Sequence, residues 1–142
     1  MKAFGKSYIT IFLLALICLF VSCKKSTSGG STPPVAEVEE NIVFTINPDP
    51  GSNIHPVTAA TQNVTVTVTS KLPSKGIDAV VDVRKDGDLS QVFNQILTLS
   101  SNSFTANITG LSQGVVSTAT ITLTSKGNTS NTAAKSFKLA RK

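Results

Sequence analysis

Asn63-Val64-Thr65-Val66-Thr67-Val68-Thr69 alternates valine with threonine from residue 64 to 69. A period of two belongs to a pleated strand, whose successive side chains point to opposite faces. The valines therefore share one face and the threonines the other. Both residue types are β-branched, and a helix restricts their χ1 torsion, so the extended chain is favoured further. The pattern recurs downstream. Ala119, Ile121 and Leu123 alternate with Thr118, Thr120, Thr122 and Thr124, and Phe104, Ala106 and Ile108 alternate with Thr105, Asn107 and Thr109. Ile77, Ala79, Val81 and Val83 oppose Asp78, Val80, Asp82 and Arg84.

Turn residues punctuate these runs. Asn47-Pro48-Asp49-Pro50-Gly51 ends the first and Leu72-Pro73-Ser74-Lys75-Gly76 the second. Asp86-Gly87 is a hairpin dipeptide, because glycine takes positive φ freely and aspartate tolerates it. Gly110, Gly114 and Lys126-Gly127-Asn128 mark later turns. About seven strands are predicted, near 41–46, 63–70, 77–85, 89–99, 102–109, 115–125 and 132–140. The 89–99 segment stays open between strand and short helix, since Leu89, Val92, Phe93, Ile96 and Leu97 fit either spacing. Short strands with frequent turns predict an all-β fold, a single antiparallel β-sandwich. Its inward set is Ile42, Phe44, Ile46, Val64, Val66, Val68, Ile77, Val81, Val83, Phe104, Ile108, Leu111, Ala119, Ile121, Leu123, Phe137 and Leu139. That is enough for one core without a disulfide, and not for two.

The stretch Phe104-Thr105-Ala106-Asn107-Ile108-Thr109-Gly110-Leu111-Ser112-Gln113-Gly114 resembles the approach to the sixth strand in fibronectin type III and related Ig-like domains. In those domains a leucine plugs the core, a glycine-containing turn follows and a tyrosine makes a corner hydrogen bond. Leu111 and Gly114 match. Ser117 and Thr118 stand where the tyrosine is expected, and the third strand carries no tryptophan. The resemblance implies the Ig-like class and no narrower family.

The N-terminus has a different character. Met1-Lys2-Ala3-Phe4-Gly5-Lys6 carries two positive charges and no acid, and residues 9–21 are apolar apart from Thr10. Thirteen residues fall short of the ~20 that a helix needs to cross a bilayer, and match the apolar region of a signal peptide. Phe20-Val21-Ser22-Cys23 then resembles the lipobox of bacterial lipoproteins. In that family the cysteine thiol takes a diacylglycerol, a peptidase cuts before it, and the new N-terminus is usually acylated. Cys23 is accordingly the expected lipidation site, with palmitate among the expected acyl labels. Ser22-Cys23-Lys24-Lys25 is similar to lipoproteins of the Bacteroidota. Surface export there is associated with acids just after the cysteine, whereas here the first acid is Glu37. The resemblance thus implies an outer-membrane anchor, with the periplasmic face favoured over the cell surface and both left open.

Residues 24–34 read Lys-Lys-Ser-Thr-Ser-Gly-Gly-Ser-Thr-Pro-Pro, a flexible coil stiffened at its end. The expected organisation is a signal peptide at 1–22, a lipidated N-terminus and linker at 23–40, and an Ig-like domain at 41–142. Processing changes the raw composition. The net charge of +5 falls to +3 when Lys2 and Lys6 leave, and the remaining aromatics are Phe44, Phe93, Phe104 and Phe137.

Residues for chemistry are scarce. His55 is the only histidine, in the Pro-flanked loop Ser52-Asn53-Ile54-His55-Pro56, and Cys18 lies in the leader. No catalytic residue, metal site or cofactor is expected. Asp82, Asp86 and Asp88 are the weak cation candidates, since hard ions want several carboxylate oxygens, but their spacing is not that of an EF-hand loop. Solvated turn charges are the simpler reading. Asp78 and Asp82 on one strand face lie about 13 Å apart at ~3.3 Å per residue, beyond the ~5–9.5 Å of glycosidase pairs. Few aromatics remain for stacking sugars. Lys135, Lys138, Arg141 and Lys142 are not interleaved with exposed aromatics, so no nucleic-acid partner is expected.

Two readings of function stand. The first is a non-catalytic lipoprotein, held to the outer membrane through Cys23, whose domain is a structural or protein-interaction module for an unidentified cell-envelope partner. The alternative is a ligand- or glycan-binding module using Asp78, Asp82, Asp86 and Asp88, with or without calcium.

Overall fold

The alternating runs become eight strands: β1 (Phe44–Asn47), β2 (Ile54–Val57), β3 (Gln62–Val68), β4 (Ile77–Lys85), β5 (Gln91–Leu99), β6 (Ser103–Ile108), β7 (Val116–Ser125) and β8 (Thr132–Arg141). The computed structural model describes residues 38–142, all within the compact unit Glu37–Lys142. Cys23, the leader and most of the predicted linker lie outside the described residues. The strands form two sheets, of order β1-β3-β6 and β2-β8-β7-β4-β5. Their apolar faces meet as a β-sandwich core.

The core follows from the period of two. Val64, Val66, Val81, Val83, Ile77, Ile108, Ile121, Leu123 and Leu139 are fully buried, while the intervening threonines reach the surface. Each fully buried side chain of this size contributes about 1.5–3 kcal/mol, which is why alternation so strongly fixes the face each strand presents. Of the predicted inward set, Phe104 is only half-buried at the margin of the core. Val57, Ala79, Leu99 and Ala106 complete the interior.

The expected all-β sandwich stands, with eight strands among the described residues, and one expectation is corrected: the pairing is not wholly antiparallel. The extra strand, β2, arises where the sequence suggested a loop around His55, and it pairs parallel to β8, with His55 opposite Leu139. Proline cannot donate to a ladder, so Pro56 argues against a central strand. It is accommodated because β2 is the edge of its sheet. The turn through Pro48, Pro50 and Gly51 carries the chain from the three-stranded sheet to the far edge of the other.

The 89–99 ambiguity resolves to strand. The β4–β5 register shifts between Val83 and Arg84, so that one extra residue enters β5 near Val92. A bulge of this kind advances the side-chain alternation by one. Val92 and Phe93 are consequently both half-buried while Ile96 points outward, 71% exposed. The sequence spacing imitates a helix because the bulge breaks the strand period.

A polar clamp fixes the beginning of the domain. Asn131, buried between β7 and β8, accepts a hydrogen bond from the Ile42 N–H at 2.9 Å and donates to the Glu40 carbonyl at 2.9 Å. The Ser125 hydroxyl donates to Glu39 Oε2 at 2.6 Å. It also accepts from the N–H groups of Gly127 and Asn128, so the turn and the incoming chain share one hydroxyl. The segment ahead of β1 is thereby tied to the β7–β8 turn.

Candidate functional site

The outer face of the five-stranded sheet collects the residues that alternation keeps out of the core. Register places Asp82 between Asn94 on β5 and Thr120 on β7, and Arg84 between Gln91 and Thr118. Just beyond, the hairpin joining β4 to β5 folds over this corner. Asp82, Arg84, Lys85, Asp86, Leu89, Thr118 and Thr120 line a cleft of about 240 Å³ there.

Charge pairing organises its walls. Arg84 Nε donates to Asp82 Oδ2 at 2.6 Å, and Asn94 donates to Asp82 Oδ1 at 3.3 Å. Lys138 Nζ reaches Asp86 Oδ2 at 2.7 Å, while the Thr118 hydroxyl donates to Asp86 Oδ1 at 2.6 Å. The Lys138 bond, then the Thr118 bond, hold the Asp86 carboxyl below its ordinary value. Asp88 is lowered as well, through the hydroxyl and the N–H of Ser90. Depressed carboxylate pKa values favour the folded state at neutral pH. That contribution is lost as pH falls below the ordinary aspartate value of 3.8 and through the folded values beneath it.

One backbone conformation stands out. Leu89 has φ of 57° and is 67% exposed. The left-handed region costs a branched residue about 1–2 kcal/mol, which glycine would avoid. The hairpin enforces it: the Leu89 N–H donates to the Lys85 carbonyl at 3.0 Å, the Lys85 N–H to the Ser90 carbonyl at 3.0 Å, and Arg84 Nη1 to the Leu89 carbonyl at 3.3 Å. An exposed leucine thus lines an otherwise polar cleft. The arrangement offers carboxylate acceptors, guanidinium and hydroxyl donors, and one apolar cap.

The cation candidates take separate positions. Asp82 is engaged by Arg84 and Asn94, Asp86 by Lys138 and Thr118, and Asp88 by its neighbour Ser90. Asp78 lies at the opposite end of β4, bonded by the Thr98 hydroxyl at 2.7 Å. Among the described residues no three His, Cys, Asp or Glu side chains come together as a metal-holding group. His55 sits on β2, at the far edge of the same sheet from β5.

Sequence reasoning singled out Asp82 and Asp86 but not Arg84, Leu89, Thr118 or Lys138. Alternation does put Thr118 and Arg84 on an outer face. Only the pairing of β4 with β7 and of β7 with β8 brings them to one corner. No family model matches the chain, and no curated protein matches it.

Proposed function

We propose that the chain is a lipoprotein, anchored to the outer membrane through Cys23, whose Ig-like β-sandwich is a non-catalytic interaction module. The observation that carries this reading is the position of Cys23. It directly follows a small residue and an apolar run of signal-peptide length, behind a basic start. The organisation of the chain supports it. The folded unit begins at Glu37, and its first residues are tied down by Asn131 and Ser125. Residues 24–36 remain as a spacer, rich in Ser, Thr and Gly. Such a spacer spans roughly 20 Å as a coil and at most about 45 Å fully extended. That reach keeps a lipid-anchored domain within a few tens of ångströms of the membrane. One acyl chain gives marginal binding and two or three give stable anchoring.

Metabolic labelling with palmitate tests the anchor. The wild-type chain takes up label, fractionates with outer membrane and accumulates as precursor under globomycin, whereas Cys23→Ala is unlabelled. A wild-type chain without label, or label that persists in Cys23→Ala, contradicts the reading.

A second reading is favoured by the cleft beneath Leu89: the module binds a small polyol or the end of a glycan there. Since each aspartate already has its own partners, this version runs without calcium. Leu89→Asn separates the two roles of the residue. Asparagine accepts positive φ, so the variant is expected to gain about 1 kcal/mol and melt several degrees higher. Loss of the apolar cap weakens binding of a sugar at the same time. Titration with mono- and disaccharides, followed through the amide resonances of Thr118 and Thr120, reads the binding. No movement at millimolar sugar removes this second reading, and a lowered melting point removes the claim of strain.

A further inference from the structure

We infer that the free edge of β5 pairs with β5 of a second copy of this chain, antiparallel and centred on Gln95. Among the described residues, β5 ends the five-stranded sheet opposite β2 and no strand pairs with its outer edge. An open strand edge is a template for another strand, and natural proteins guard it with charge or proline. Gln91-Val92-Phe93-Asn94-Gln95-Ile96-Leu97-Thr98-Leu99 carries neither, and its one guarding feature, the bulge at Val92, leaves Phe93–Leu99 in regular register. By contrast β2, the other edge of the same sheet, carries Pro56.

The hydrogen-bond phase identifies which groups are open. The Lys85 N–H bonds across the hairpin to Ser90, while the Asp86 N–H bonds the other way, to Val116 on β7. Odd-numbered residues of β4 therefore face β5, and their partners Phe93, Gln95, Leu97 and Leu99 face back. Asn94, Ile96 and Thr98 are left directing their N–H and C=O groups away from the sheet.

Register follows from Gln95. Its side chain lies on the core side, beside Val81 in the ladder, and its Oε1 is buried with no hydrogen-bond partner. A buried acceptor without a donor is destabilising, and such groups usually find a partner. Pairing about a two-fold axis at Gln95 supplies one. The two Gln95 residues become directly opposed, so each amide, turned out from its buried position, can pair its Oε1 with the NH₂ of its mate. The same axis sets Asn94 against Ile96 of the second copy in a hydrogen-bonded pair, and aligns the half-buried Phe93 with Leu97. Such aromatic–aliphatic pairs stabilise antiparallel ladders. No like charges meet, because β5 has none. The next register with the same hydrogen-bond phase, a slip of two residues, puts Gln95 against Leu97 and leaves Oε1 unpaired. A C2 contact of this kind closes on itself and joins two five-stranded sheets without leaving a new edge.

The test uses the full chain in detergent micelles. Sedimentation velocity should show a dimer at tens of micromolar, and Asn94→Lys with Ile96→Lys should shift it to monomer by at least tenfold in affinity. Both positions are exposed, so at concentrations where wild type is also monomeric the thermal midpoint of the double variant falls no further than loss of the Asn94–Asp82 hydrogen bond accounts for. In the second arm Gln95→Cys forms a disulfide dimer on non-reducing gels, while Ile96→Cys does not. The unsubstituted chain, with Cys18 and Cys23, is the blank. A monomeric wild type without the Gln95→Cys dimer overturns the proposal. So does a double-lysine variant that dimerises like wild type, or a cross-link through Ile96→Cys in place of Gln95→Cys.

Discussion

Replacing Asn131 with alanine is expected to destabilise the domain by about 3 kcal/mol and to release the segment ahead of β1. The side chain is 7% exposed and completes two backbone groups, the Ile42 N–H and the Glu40 carbonyl. Stripping one partner from a buried polar group costs roughly 1–3 kcal/mol per group left unsatisfied, well above the ~1 kcal/mol a hydrogen bond contributes net. For a domain of this size that lowers the melting point by more than 10 °C. Hydrogen exchange at the Ile42 amide localises the effect, because protection there should fall to that of an open segment while Val66 and Ile121 retain theirs. Asn131→Asp is the informative companion. It keeps the acceptor for Ile42, loses the donor to Glu40 and sets a second carboxylate beside Glu39 (whose Oε2 lies 3.4 Å from the Asn131 amide). It should cost about as much as alanine. An Asn131→Ala protein within 0.5 kcal/mol of wild type contradicts the clamp.

Gly76→Ala should produce the second large loss, about 2–4 kcal/mol. Gly76 has φ of 86°, and a Cβ built there meets the Leu99 carbonyl oxygen at 2.8 Å. The left-handed backbone accounts for 1–2 kcal/mol of the loss, and displacement of the β5 terminus for the rest. Nothing nearby yields cheaply, because the obstacle is backbone. Gly76 is also held on both sides, its N–H by the Pro73 carbonyl at 2.9 Å and its C=O by the Lys126 N–H at 3.1 Å. Gly51→Ala is the control: φ is 59° but no atom lies within 4 Å of the added Cβ. It should lose only the conformational part, about 1 kcal/mol. Chemical denaturation of the two variants reads the difference, and equal losses would show that the contact with Leu99 does not matter.

The sequence made the sandwich legible wherever one face of a strand is buried and the other wet. Val64, Val66 and Val68, or Ala119, Ile121 and Leu123, announce their faces because a slip of one residue would expose every one of them. It was least legible where geometry interrupts the period. β2 hides behind Pro56, tolerated only at an edge that pairing alone defines. β5 hides behind its bulge, which sets Val92 and Phe93 side by side and imitates a helical spacing. The clamp and the cleft are harder still. Asn131 looks like a turn residue, and its partners lie 89 to 92 residues earlier in the chain. Asp82 and Asp86 were visible as candidates, but Lys138 and Thr118 join them only through the β7–β8 and β4–β7 registers. Leu89 carried no signal at all, since nothing local says that a leucine will take the conformation glycine prefers.

Anchoring through Cys23 makes one chemical demand of the mature protein: that its chain starts at Cys23 and that this residue carries lipid. Intact-mass and N-terminal peptide mass spectrometry of the chain extracted from outer membranes measures this directly. The expected result is a species lacking residues 1–22, with a diacylglyceryl group on the Cys23 thiol and no mass unaccounted for elsewhere. A mature chain that starts at another residue, or at Cys23 with a free thiol, would contradict the anchor and with it the proposed function.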